Sequence, residues 1–569
     1  MGVGFSNALW TAVLESGQSS PSARFFDIDW EPVKDELHGR LLLPILGDQY
    51  GLVLERGELR LSHEAGAFEV RYWEQRLPLD PRSYPRILGR GRDRLAAPKE
   101  DLEDFDSLVA AFGKLPPATE TEPGPCAERE RDKEVLKRRL ARLCERCPGV
   151  RSFIEENVAE LNGRPGDPRS FDELDALLDA QVYRLAHWRV AGEEINYRRF
   201  FDINDLAAIR VEDPVVFEEA HRRVFERIRR GNVVGLRIDH PDGLYDPTEY
   251  FRRLQLGYAL STARGVAREL GQPVEAFADL EPELERRFAA EVARDPSSPL
   301  FRPLYVVAEK ILTGRERIPP SWAIHGTTGY EFSNALGGLF VAPENEAAFS
   351  RIYERAVGRA VDYDELVYQA KKRILGSTMA SEINVLARRL NRLSEHDRRT
   401  RDFTLRSLTR ALVELLACFP VYRTYLREGE LGPEEAGPSG RRAEAEGRGD
   451  WMDPGDRRYL RWAVERAKRR DPTASPSIYD FIESLLVPGG AEVPPAERAE
   501  RFAFALRLQQ LTGPVMAKGV EDTAFYVYCR LVAQNEVGGE PERFGRSPQS
   551  FHAQNHERAA RWPHSLLAT

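Results

Sequence analysis

Apolar positions along the chain follow two periods. Val233, Val234, Leu236 and Ile238 form a short, mostly β-branched run that breaks at once into Asp239, His240, Pro241, Asp242 and Gly243. Such a run predicts a buried strand of a parallel sheet, releasing polar side chains at its C-terminal end. The residues before it predict a helix. Asp213-Pro214 reads as an N-cap with proline at the first helical position, and Phe217, Val224 and Ile228 recur at helical spacing. Arg227, Arg229 and Arg230 suit the negative end of the helix dipole, and Gly231 suits the C-cap. Residues 213–240 therefore predict helix, tight turn and strand, one step of an α/β sheet. Leu304-Tyr-Val-Val-Ala308 predicts a second buried strand, ending in Glu309-Lys310.

Elsewhere the pattern changes. Leu41–Leu43, Tyr50–Leu54 and Phe68–Tyr72 predict small β elements in a turn-rich region. A Pro/Glu/Thr-rich break follows at about 115–130, and amphipathic helices are expected over about 131–190. Residues 345–510 read as mostly helical. Leu405, Leu408, Leu412, Leu415 and Phe419 make one stripe, and Ile383, Leu386, Leu390 and Leu393 another. The polar stretch 429–449 reads as a loop, and 488–495 as a shorter break. Asn204 and Asp205 are expected to cap an element starting at Leu206.

Strands that share a direction in an α/β barrel open onto one face, so Asp239 and Glu309 would meet in one cleft. Paired carboxyls are what glycoside chemistry requires, one as nucleophile and one as general acid and base. Arg237, two residues before Asp239, points the same way and would keep that carboxylate ionised, whereas Glu309 would need a raised pKa to deliver a proton. The structural alternative is that each carboxylate is a turn residue or a cap.

Composition narrows the field. The net charge is −9 over 569 residues with both signs interspersed, which argues against nucleic acid as the main partner. No apolar run is long enough to span a membrane. No basic segment followed by an apolar core opens the chain, so the expected location is cytoplasmic. Cys144 and Cys147 have a metal-like or redox-like spacing, but no second Cys or His pair accompanies them, Cys147 shares a helical stripe with Leu136, Leu140 and Leu143, and the pair reads as core packing. No metal and no cofactor is expected.

The motif Gly235-Leu-Arg-Ile-Asp-His-Pro-Asp-Gly-Leu244, with Val307-Ala-Glu-Lys-Ile-Leu312, resembles the α-amylase clan of retaining glycosidases and transglycosidases. Within that clan the chain is most similar to the maltooligosyltrehalose synthase family. Four further segments carry that likeness: Ser20–Trp30, Ile195–Ala207, His325–Phe332 and Pro514–Tyr526, with Lys372–Leu375 and Ser381–Asn384 between the last two. The resemblance implies an incomplete (β/α)8 TIM barrel with large, mostly helical insertions, an α/β fold. Its expected divisions are a β-containing subdomain and barrel remnant at 1–112, a helical insertion at 113–199, central barrel strands at 200–344, a helical subdomain at 345–510, and a return to the barrel at 511–569.

The resemblance also implies roles. Asp239 matches the nucleophile, Glu309 the acid/base and Arg237 the arginine that holds the nucleophile. His240 and Asp242 lie on the rim, where each contacts a sugar hydroxyl or orders the turn. Tyr330 and Glu331 read as another strand end, with an aromatic suited to stacking on glucose. Lys518 lies with Glu521 and Asp522 in a shared segment that either binds substrate or forms a salt-linked turn. The implied reaction is an isomerisation, (1→4)-α-D-glucan 1-α-D-glucosylmutase: the reducing-end α-1,4 bond of a maltooligosaccharide becomes an α,α-1,1 bond. A trehalose-releasing hydrolase is the implied metabolic partner. An α-glucan hydrolase and an inactive glucan-binding remnant stay open as alternatives. Two of the clan's four strand-end motifs, Asp-(apolar)2-Pro-Asn-His and Thr-His-Asp-Thr-Lys-Arg, do not occur, so the chain is expected to be truncated at both ends and to leave open sheet edges.

Overall fold

A computed structural model describes residues 1–271, 274–295, 298–314, 316–426, 452–487, 494–563 and 565. The expected loop at 429–449 and residues 488–493 of the expected break lie outside the described residues. The chain divides into two units: Met1–Arg210 with Thr378–Val385, and Val211–Ser377 with Leu386–Thr569. Both are dominated by helices and carry small sheets.

In the first unit, β1 (Leu41–Leu46) pairs in parallel with a later strand, and β2 (Leu59–Glu64), β3 (Ala67–Tyr72) and β4 (Gln75–Pro78) form an antiparallel meander. β5 (Tyr183–His187) is the parallel partner of β1, with Leu41 opposite Tyr183. Short β6 (Arg199–Phe200) and β7 (Ile203–Ala207) complete the set. Three expectations change here. Tyr50–Glu55 is a helix, because only Val53 and Leu54 are buried and a three-residue apolar run fits either period. Asn204 and Asp205 lie inside β7 and cap nothing. The expected helices of 131–190 are interrupted by β5, and the break at 115–130 gives way to a helix that Pro123 opens. Leu136, Leu140, Leu143 and Cys147 are all buried in one core, as their stripe predicts; Cys144 lies in the same core, where burial pushes its thiol up to about 11.

Buried charges staple this unit. Arg129, fully buried, donates to Asp80 at 2.6 Å. Lys133 holds Glu15 at 2.9 Å. Arg199 donates to Glu382 at 3.0 Å and to the Thr378 carbonyl at 2.6 Å, which secures the 378–385 segment.

In the second unit the Pro214–Arg229 helix starts as predicted. The Asp213 carboxylate accepts from the Val215 N–H at 2.9 Å, and Gly231 takes a left-handed φ of 71° past the end. The strand that follows is shorter than expected: β8 is Gly235–Ile238 and leaves Val234 85% exposed. It pairs with β9 (Tyr305–Ala308) in parallel, Leu236 opposite Val306 and Ile238 opposite Ala308. Ala308 also bridges Thr327 in parallel. Among the described residues β8 has a strand on this side only, which is why the predicted burial fails for β8 and holds for Leu304, Val306 and Ala308. Buried Gln255 fixes the start of β9, accepting from the Leu304 N–H at 2.8 Å and donating to Ala323 at 2.8 Å. Both helical stripes are buried, except for Leu405 at its exposed end.

Arg199→Met is expected to lower stability by about 3–5 kcal/mol in urea unfolding, because it leaves the Glu382 carboxylate buried and unpaired. Adding Glu382→Leu should restore most of that loss. If the double variant is no better than the single one, the loss comes from packing and not from the stranded charge.

Candidate active site

The ends of β8 and β9 carry the acidic residues. Asp239 follows Ile238, and Glu309 follows Ala308. The Glu309 N–H donates to the Ile238 carbonyl at 2.8 Å, so the ladder extends to Glu309. Arg237 Nη1 donates to Asp239 Oδ1, and its Nη2 lies 3.6 Å from Glu309 Oε1. One guanidinium therefore faces both carboxyls. Burial pushes the Asp239 carboxyl upward, but His240, Arg237 and a hydrogen bond from Glu309 together hold it below the usual carboxylate range.

His240 adopts a left-handed backbone, φ 47° and ψ 49°. That conformation is uncommon for a non-glycine residue and is more often kept at functional sites. Its N–H donates to Glu309 Oε2 at 2.9 Å, its Nδ1 lies 3.2 Å from the same oxygen, and its Nε2 lies 3.4 Å from Asp239 Oδ2. The imidazole thus spans the two carboxyls. One ligating atom from each of Asp239, His240 and Glu309 falls within 4.8 Å of the others, a set that could hold a cation. The Arg237 guanidinium already fills the cationic role there and would repel one.

Tyr330 donates to Glu309 Oε1 at 3.0 Å. It opens the Tyr330–Leu339 helix instead of ending a strand; the strand-like contact falls earlier, at Thr327. Glu331 sits in the first turn and accepts from Thr327 Oγ1 at 2.7 Å. Its other oxygen is buried without a hydrogen-bond partner.

Asp242 is turned into the protein. Lys310 donates to its Oδ2 at 3.1 Å, and Tyr425 donates to its Oδ1. Lys310 is fully buried and also reaches Glu316 at 2.9 Å. Burial opposes the Lys310 charge, yet Asp242 and Glu316 outweigh it and raise its pKa. Arg423 donates to the carbonyls of Asp242, Leu244 and Tyr245, at 2.6 Å to the first and 2.8 Å to the last. The loop behind Asp239 is therefore pinned by Arg423.

Lys518 pairs with Asp522 at 3.0 Å along the Ala517–Ala524 π-helix. Gly519 lets that helix approach: a Cβ there would lie 2.6 Å from Lys371 Cγ. Glu521 accepts from the Tyr422 hydroxyl; burial raises its pKa, and the Glu309 charge adds to the rise. Sequence reasoning passed over Lys310, Tyr422, Arg423 and Tyr425 as site residues, whereas Glu521 was already placed with Lys518 and Asp522 in the shared segment. Only Lys310 carried a local signal, as a lysine directly after an apolar strand.

Two carboxyls on adjacent parallel strand ends face one shared arginine, an arrangement that can supply the nucleophile and the acid/base of glycosidic-bond chemistry. No family model matches the chain. Proteins from two Mycobacterium tuberculosis strains, each described as "Putative maltooligosyl trehalose synthase", are 31% identical to it over 396 residues, which is 69% of this chain and 39% of each relative. The solved maltooligosyltrehalose synthase from Arthrobacter ramosus matches with a TM-score of 0.62 at 29% identity, over 99% of this chain and 50% of that one. The structure of a hypothetical maltooligosyl trehalose synthase from Sulfolobus tokodaii shares the fold, with a TM-score of 0.54 at 21% identity over 98% of this chain and 48% of that one. The chain is homologous to the maltooligosyltrehalose synthases and spans about half the length, or less, of these relatives.

The buried network beneath the site sets a pH dependence. Burial pushes the Asp456 carboxyl up to about 7, helped by Glu316 and Asp453 and opposed by the Tyr425 N–H and Lys310. A carboxyl with a raised folded value binds its proton on folding, so its contribution to stability falls as pH rises from about 4 to about 7. Asp456→Asn keeps an acceptor for the Tyr425 N–H and removes the ionisation. Relative to the parent, its urea stability should rise between pH 5 and pH 8 by on the order of 2 kcal/mol. A difference that stays constant with pH would show that Asp456 does not titrate in this window.

Proposed function

We propose that this chain carries the catalytic pair of an intramolecular α-glucan transglycosylase, which turns the reducing-end α-1,4 bond of a maltooligosaccharide into an α,α-1,1 bond. The carrying observation is the placement of Asp239 and Glu309 on neighbouring strand ends, both facing Arg237. The ionised Asp239 carboxylate attacks the anomeric carbon of the penultimate glucose, and Glu309 protonates the departing 4-oxygen. The freed glucose turns in place. Glu309 then takes the proton from its anomeric hydroxyl, which attacks the same carbon and expels Asp239. No water is consumed, the reducing end is lost, and two displacements give net retention.

The carboxyl spacing supports this. Ligating oxygens of the two carboxyls lie within 4.8 Å of each other, short of the ~6.5–9.5 Å that leaves room for a water in inverting pairs. Arg237 and His240 stabilise the Asp239 anion as nucleophile and leaving group, and Tyr330 orients Glu309. His240, Glu331 and Lys518 are the polar groups proposed to meet sugar hydroxyls, with Tyr330 against a ring face. Asp242 acts mainly through the loop it anchors. No cofactor enters the chemistry. The architecture fits a partial (β/α)8 barrel, with its central strands within 200–344 and helical insertions at 113–199 and 345–510. No described helix is long and apolar enough to cross a membrane. A cytoplasmic enzyme feeding a trehalose-releasing hydrolase fits this reading.

One observation favours a second reading. The Asp239 side chain is 54% exposed, so water can reach the anomeric carbon and turn the same pair to hydrolysis. Reducing ends followed over time with maltohexaose separate the two. The proposal predicts a fall that Asp239→Ala and Glu309→Gln each abolish, with rate losses of at least about a thousandfold. A rise would make the chain a hydrolase, and no change would contradict catalysis by this chain.

A further inference from the structure

The catalytic reading makes no use of the tip of the β3–β4 hairpin. Tyr72 pairs with Gln75, so Trp73 and Glu74 form a two-residue turn. Trp73 has a φ of 52°, in the left-handed region. The first central position of such a turn favours glycine, and a bulky side chain there is strained. The ring is also 79% exposed. A strained backbone that holds a large apolar ring in water contributes nothing to the core, and such residues cluster where a side chain meets a ligand.

A second indole faces the same groove. Trp188 follows the end of β5 and is 52% exposed. The Arg189 guanidinium lies 5.3 Å from its ring centroid, and His187 meets it edge-on at 5.8 Å, so the ring is braced. The groove has a volume of about 650 Å³, and its polar lining is Glu74, Gln75, Asn204 and Asp205. Arg199 donates to the Asn204 amide oxygen at 2.9 Å and fixes that side chain. No lysine or arginine is among the lining residues, so nothing there attracts a phosphate or another anion.

We propose that this groove binds a stretch of α-1,4-glucan, with Trp73 and Trp188 stacked on glucose faces and the acids and amides bonding to hydroxyls. The saccharide class follows from the lining. An indole offers a flat apolar face to the C–H face of a pyranose, while carboxylates and amides match paired hydroxyls and exclude anions. A cationic peptide would use the two carboxylates but has no need of both amides. The α-1,4 linkage rests on the function proposed above.

The test is calorimetric titration of the full chain, carrying Glu309→Gln to block turnover, with maltoheptaose and with cellohexaose. Trp73→Gly gives the turn the residue it prefers, so its melting temperature should equal or exceed the parent's. Its affinity for maltoheptaose should nevertheless fall by about tenfold, the size expected for one aromatic contact. Trp188→Ala should weaken binding similarly, and Trp73→Phe should keep most of it. The proposal is overturned if Trp73→Gly binds maltoheptaose as tightly as the parent, or if the parent binds none. A lower melting temperature with unchanged affinity would make Trp73 purely structural, also overturning it. Cellohexaose bound as tightly, with the same dependence on Trp73, would overturn the α-1,4 assignment. Oligolysine bound in place of maltoheptaose would overturn the saccharide class. The reducing-end assay is independent of these readings: Trp73-dependent binding without turnover would fail the catalytic reading alone.

Discussion

The parallel register between β8 and β9 is the constraint on which the site depends. Ile238 opposite Ala308 puts Asp239 and Glu309 one residue beyond the last pair, on the same side of the ladder. A slip of one residue would turn one of the carboxyls to the opposite face and remove Arg237 from between them. The register is held from both ends. Gln255 fixes the entry to β9, and the Glu309 N–H bonds to the Ile238 carbonyl at the exit. The close approach of Gly235 to Tyr305, where a Cβ would lie 2.9 Å from the ring, admits no larger residue at the start of β8 without a shift.

The second support is electrostatic and lies in the loops behind Asp239 and Glu309. Asp242 is three residues from Asp239 and Lys310 is next to Glu309, so their buried ion pair ties the two strand ends together through the loops behind them. Taking these charges out of water is costly, and mutual attraction offsets the cost only where the partners are fully engaged. Here Glu316 and the Ile311 carbonyl engage Lys310, and the Tyr425 hydroxyl engages Asp242. An assembly of this kind specifies geometry more than it adds stability. The half-exposed Asp239 carboxylate lies outside it, free of the packing that immobilises Asp242.

Local signals in the sequence reached the elements where caps and periodicity act alone. Asp213, Pro214 and Gly231 framed the helix before β8, and the alternating burial of Leu304, Val306 and Ala308 matched the apolar run. The proximity of Arg237, Asp239 and Glu309 followed from two strands ending in acid, and the structure brings those three together. Periodicity failed where a segment was too short to choose, as at Tyr50–Glu55, or where tertiary pairing decided, as with Asn204 and Asp205 inside β7. Val234 is exposed because no described strand covers its side of β8. The left-handed His240 and the anchors Arg423 and Tyr425 were not legible. The first needs a backbone conformation that no residue type announces, and the others lie 178 to 183 residues from the positions they hold.

The central claim is that Asp239 is the nucleophile and Glu309 its acid/base partner. The most direct measurement is covalent trapping with 5-fluoro-α-D-glucosyl fluoride, followed by peptide mass spectrometry. Its fluoride leaves without protonation, so Glu309→Gln should still form the adduct. The account predicts a single glucosyl ester on Asp239 in both the parent chain and Glu309→Gln. An ester on another carboxylate, or no adduct in the folded chain, would contradict it.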